Sequence, residues 1–108
     1  MLNIKDFNKN ISYLEDLGRE VLRVNAKYGK ENENRMLYAH IREKNISYQL
    51  IYDLDRYIPY ELCIYYYPNG FDQKKICEII AESPDELWEA FKSRVRKGDF
   101  DEYIQDWV

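Results

Sequence analysis

The hydrophobic period of this chain switches from helical to strand-like near residue 36 and back to helical after residue 83, and those switches limit its fold more than any motif does. Ile4, Phe7, Ile11, Leu14, Leu17, Val21, Val24 and Tyr28 recur at three- and four-residue steps, the period of a helix that buries one stripe. The spacing predicts a helix over about residues 5–27. Gly18 lies on the stripe, where it costs about 1 kcal/mol against alanine but admits close approach of another backbone. From residue 36 the period is two. Ile46, Tyr48, Leu50, Tyr52 and Leu54 point one way and Ser47, Gln49, Ile51 and Asp53 the other, which is strand alternation in β-favouring residues. Leu37, Ala39 and Ile41 likewise alternate with Met36, Tyr38, His40 and Arg42, so Lys44 and Asn45 fall in a hairpin turn.

Asp55 to Pro59 reads as a connection, because Pro59 cannot donate to a central ladder. Glu61 to Tyr67 is a third strand, closed by the turn cluster Pro68, Asn69 and Gly70. Lys74 to Glu82 reads two ways: a strand alternating Ile76, Glu78 and Ile80 with Cys77, Ile79 and Ala81, or a helix with Ile76, Ile79 and Ile80 on one side. Its short length and the Asn-Gly turn before it favour the strand. Ser83, Pro84 and Glu86 then form a capping box with proline at the first helical position, and Leu87, Trp88, Phe91 and Val95 make the apolar face of that helix. Arg94, Arg96 and Lys97 complement its negative end and Gly98 stops it. Asp99 with Glu102 repeats the capping pattern, and Phe100, Tyr103, Ile104 and Trp107 make one more stripe. The expected fold is α+β, in the order α-β-β-β-β-α-α: an antiparallel four-stranded sheet with an N-terminal helix and two C-terminal helices packed on one face.

Residues 1–108 carry no repeat and no linker-like tract; the longest polar stretch, Gly29 to Arg35, is too short to separate two domains, so one compact domain is expected. Such a chain hides roughly two thirds of its unfolded surface, enough for a core without metals or cross-links. No apolar run reaches the roughly 18 to 20 residues of a bilayer span, and the polar start of the chain does not read as a signal peptide, so a cytoplasmic location is expected. The net charge of -4 leaves no electropositive footprint for duplex DNA. The acidity is uneven: residues 1–54 hold nine Lys/Arg against eight Asp/Glu, and residues 55–108 hold seven against twelve.

Few side chains suggest catalysis. His40, the only histidine, has no metal or nucleophile partner at a diagnostic spacing and reads as a half-exposed strand residue. Cys63 and Cys77 would share a sheet face if paired across the hairpin and would separate on a one-residue slip; two free thiols are expected, since two sulfurs alone make no zinc site. Asp53 and Asp55 could hold Mg²⁺ for a small metal-dependent hydrolase, but the pattern is common by chance and a turn in which Arg56 pairs a neighbouring acid is the favoured reading. The glycines are too scattered for a phosphate loop, and no cofactor is expected. Residues 71–95 would suit a helix-turn-helix only if the ambiguous segment were helical, and Asp85, Glu86 and Glu89 would then face phosphates with the wrong sign.

The densest feature is tyrosine: Tyr65, Tyr66 and Tyr67, with Tyr57 and Tyr60 before them. If Ile64 and Tyr66 face the helices, Tyr65 and Tyr67 project from the uncovered side. There they can anchor a protein partner, or stack single-stranded bases with Arg42, Lys74 and Lys75 on the phosphates. Self-association through the same aromatics is a further alternative. Asp99, Asp101, Glu102 and Asp106 fall within eight residues that contain no base, which suits a partner with a basic surface, such as a nucleic-acid-handling protein. In size, acidity and tyrosine content the chain resembles the general class of small bacterial or phage inhibitors that neutralise a partner by occluding it. The expectation is therefore a non-catalytic protein-binding domain, with Tyr57, Tyr65, Tyr67 and the four C-terminal acids as its contacts.

Overall fold

The two-residue alternation is realised as an antiparallel sheet, in a computed structural model that describes residues 2–28, 36–43, 45–53 and 55–105. Its strands β2 (Met36–Glu43), β3 (Ile46–Asp53), β4 (Tyr60–Tyr66) and β5 (Lys74–Ala81) lie side by side in chain order. Two helices, α1 (Ile4–Tyr28) and α2 (Pro84–Arg96), and a short parallel pair, β1 (Leu2–Asn3) with β6 (Ile104–Gln105), complete the described elements. The fold is α+β, as expected, and residues 74–81 are a strand, which removes the helix-turn-helix reading of this segment.

The alternation assigns the sheet's faces. Tyr48 and Leu50 of β3, Leu62 and Ile64 of β4, and Cys77 and Ile79 of β5 form one buried cluster with Phe7 and Leu14 of α1 and Leu87, Trp88 and Phe91 of α2. Both helices therefore cover the same side of the sheet. Ile4, Ile11 and Leu17 of the predicted α1 stripe pack at its margin; the side chains of Val21, Val24 and Tyr28 lie outside those described. The apolar face of α2 is the expected one, with Val95 partly buried.

Helix α2 begins and ends where its capping residues dictate. The Glu86 backbone N–H donates to Ser83 Oγ at 3.2 Å, and the Glu86 carboxylate reaches back to the N–H of Glu82, one residue before the usual capping-box position. At the far end the Asp99 N–H donates to Arg94 O and the Gly98 N–H to Val95 O, the paired bonds of a Schellman cap, which Gly98 permits at a φ of +81°.

Two expectations fail. The second C-terminal helix is not formed in the described part of its span: residues 97–103 are turns, with N–H to carbonyl bonds from Asp101 to Gly98 and from Tyr103 to Phe100, and the chain then extends into β6. Asp106 and Trp107 lie outside the described residues. A stripe of Phe100, Tyr103 and Ile104 is satisfied as well by successive turns as by a helix, and a segment this short has little helical stability of its own. Pairing of Leu2 with Ile104 across the molecule decides the outcome. The second failure is Gly18, where, among the described residues, no backbone of another element lies within 4 Å of the Cβ position and a Cβ would meet only the Trp88 indole nitrogen, at 4.0 Å. No helix among the described residues is long and apolar enough to cross a membrane.

Candidate functional site

The side of the sheet that carries no helix is built from Tyr38, His40 and Arg42 of β2, Ser47, Gln49 and Ile51 of β3, Glu61, Cys63 and Tyr65 of β4, and Lys75, Glu78 and Ile80 of β5. Cross-strand register sorts these into rows. Tyr38, Ile51, Glu61 and Ile80 form one; His40, Gln49, Cys63 and Glu78 the next; Arg42, Ser47, Tyr65 and Lys75 the third. A bulge between β4 and β5 sets the last row, because Ile76 is the extra residue and Tyr65 pairs with Lys75.

Tyr65 and Tyr67 both stand on this face, as the alternation implied, but they are not bare. The Arg42 guanidinium lies over the Tyr67 ring, 4.1 Å from its centre, and the Tyr67 hydroxyl is 3.2 Å from Ser47 Oγ, so a serine on a helix-free face is fully buried. The Arg42 guanidinium also donates to Gly70 O at 3.2 Å. Lys75 stands over Tyr65 at 5.8 Å from the ring centre and pairs with Glu78. The rings are thus held half-buried in fixed poses, each cation contact worth about 0.5–1 kcal/mol. In the first row Tyr38 and Ile80 are each 52% exposed.

The other candidates divide across the molecule. Tyr57, 95% exposed, lies in the loop between β3 and β4, at the opposite end of β4 from Tyr67 and roughly 20 Å away by strand rise. Asp99, Asp101 and Glu102 are exposed on the turn after α2, whose Phe100 and Tyr103 enter the core, so the acids belong to the helix side of the sheet. Lys74 goes with them: it stands over the Tyr103 ring at 5.3 Å, and hydrogen bonding to that phenol holds its pKa up. Of the three cations read as possible phosphate contacts, only Arg42 and Lys75 share the tyrosine face. Asp106 lies outside the described residues.

The thiols separate as a slipped register requires. Cys63 pairs opposite Glu78 on the helix-free face, whereas Cys77 pairs opposite Ile64 in the core, and both are free. Burial pushes the Cys77 thiol up to about 11; burial and then the Glu61 carboxylate raise Cys63. Neither is an activated nucleophile. One grouping escaped the sequence: Glu61, Cys63 and Glu78 bring an Oε, Sγ and Oε within 4.8 Å of one another. Glu61 is bonded by Arg56 at 3.0 Å and Glu78 by Lys75, which lowers the Glu78 pKa, so the carboxylates are already neutralised. Only the i, i+2 spacing of Glu61 and Cys63 pointed to it; Glu78 arrives through register. Asp53 and Asp55, the alternative metal pair, form a turn in which Asp53 Oδ1 accepts the Asp55 N–H at 3.0 Å, and Arg56 takes Glu61 as its acid. His40 is exposed on β2, its ring 6.4 Å from that of Tyr38. No family model, curated protein or solved structure matches this chain.

Proposed function

We propose that this is a non-catalytic protein-binding domain whose docking surface is the helix-free face of the sheet. The observation that carries the reading is that Tyr65 and Tyr67 are prearranged there by Arg42, Ser47 and Lys75, beside half-exposed Tyr38 and Ile80. Rings already fixed in place lose little entropy on binding, which favours tyrosine anchors in protein interfaces. Separation of the reactive groups supports the non-catalytic part: the thiols lie on opposite sides of the sheet, and Gln49 stands between His40 and Cys63 in their shared row.

The partner suits a basic surface. The net charge is -4, and the exposed acids at Asp99, Asp101 and Glu102, across the sheet from the docking face, add long-range attraction, while Glu61 and Glu78 on the face itself are paired with Arg56 and Lys75. Occlusion of a nucleic-acid-handling protein is the corresponding action. Direct binding of single-stranded nucleic acid fits less well, because cations already occupy both ring contacts and carboxylates flank them.

A photo-crosslinking residue in place of Gln49, at the centre of the face, tests the reading in extract of the source cell. A discrete protein adduct is expected, competed by unlabelled domain and absent when the crosslinker replaces exposed Lys9 on α1. Tyr65→Ala is expected to weaken capture by about 2 kcal/mol, roughly thirtyfold. Equal crosslinking from both positions, or a low-salt shift of labelled oligonucleotide without a protein adduct, overturns it.

A further inference from the structure

The helix layer carries a second candidate surface, remote from the sheet face and independent of the function proposed for it. Helices α1 and α2 pass with Phe7 beside Phe91, ring centres 5.9 Å apart, and Gly18 beside Trp88. Between them opens a groove of about 330 Å³, the size of a small organic-ligand site. Its apolar wall is Ile11, Trp88, Phe91 and Val95; its cationic rim is Lys92 and Arg96, one helical turn apart on α2.

Two unpaired cations mark this groove, whereas most of the other cations among the described residues are engaged. Arg19 and Arg56 are in ion pairs with Glu15 and Glu61, Lys75 pairs with Glu78, Arg94 bonds a backbone carbonyl, and Arg42 and Lys74 stand over tyrosine rings. Lys92 and Arg96, by contrast, have no ion-pair or hydrogen-bond partner among the described residues. The one acid lining the groove, Glu15, is held by Arg19 at 2.8 Å, so the lining carries a net positive charge on an acidic chain. Trp88, only 4% exposed, adds an indole N–H that likewise lacks a hydrogen-bond partner among the described residues. From this we infer that the groove binds a small anionic amphiphile, a carboxylate on an aliphatic or aromatic body, with the body against Trp88, Phe91 and Val95 and the carboxylate between Lys92 and Arg96. A guanidinium fork and an ammonium suit one carboxylate, and the apolar wall supplies the burial a bare anion would lack.

Calorimetric titration of the whole chain with monomeric decanoate, followed by the NMR shift of the Trp88 indole N–H, tests the assignment. Saturable binding with movement of that resonance is expected, and decanol, which has the same chain without the charge, should bind at least tenfold more weakly. The double variant Lys92→Glu/Arg96→Glu should lose at least tenfold in decanoate affinity while keeping its decanol affinity. Lys9→Glu, a like charge reversal on exposed α1 surface, should change decanoate binding less than threefold. Circular dichroism confirms that the variants fold. Equal affinity for decanoate and decanol, indifference to the double reversal, an equal loss in Lys9→Glu, or binding confined to anionic phospholipid vesicles each overturns the inference.

Discussion

The two sides of the same sheet use its alternation differently. On the helix side, Leu62, Ile64 and Leu50 are closed by residues from distant segments, and the burial is almost wholly apolar. On the other side the sheet covers itself: Tyr67 folds over Ser47, and Arg42 and Lys75 lie against rings, leaving Tyr38 and Ile80 half in solvent. Burial therefore has two meanings in this molecule. Beneath the helices it holds the fold together, whereas opposite them it fixes the pose of a surface.

The largest test of that contrast uses neighbouring residues on opposite sides. Leu62→Ala, at a fully buried position beneath the helices, is expected to cost about 2–5 kcal/mol of unfolding free energy, and Cys63→Ala less than about 1. Urea denaturation measures both; equal losses would break the comparison.

Alkaline titration comes next. A thiol whose folded pKa lies above its unfolded one stabilises the fold fully below the unfolded value and loses that contribution as pH rises through the folded value. For Cys77, raised from 9.0 to about 11, stability should hold up to about pH 9 and then fall by roughly 2–3 kcal/mol toward pH 11. Cys63 acts in the same direction, and buried Tyr48 and Tyr60, whose pKa values burial also raises, follow above pH 10. Cys77→Ala should flatten the first part of the decline in melting temperature; an unchanged profile would place the sensitivity on the other face.

The smallest effects probe the covering layer itself. Gly98→Ala forces a Cβ to 2.7 Å from the Asp101 carboxylate at a positive φ and should cost about 1–2 kcal/mol. Gly18→Ala places its methyl at ordinary contact distance from Trp88 and should gain about 0.5–1 kcal/mol in thermal melts. A loss at Gly18 would mean that α1 and α2 pack closer in solution than this geometry allows.

Much of this arrangement is legible locally. The three- and four-residue stripe marks α1, Ser83-Pro84-Asp85-Glu86 marks the start of α2, and the alternation from Tyr60 to Tyr67 sends Tyr65 and Tyr67 away from the helices before any coordinate is known. Less of the site is. The acids at Asp99, Asp101 and Glu102 and the tyrosines belong to one list in sequence and to opposite sides of the sheet in space. The stripe through Phe100, Tyr103 and Ile104 reads as a helix because nothing nearby in the chain reveals Leu2 as a strand partner.

Side-chain direction within a strand follows from covalent geometry, so sequence alone assigns each residue of β3 and β4 to a side. Which residues meet across strands is a matter of register, chosen by packing between segments far apart in the chain. One extra residue at Ile76 sets Lys75 beside Tyr65, leaves Cys63 opposite Glu78 and keeps Cys77 in the core. Local periodicity carries no mark of that step, because the bulge is stable only when both strands and the helices above them are in place.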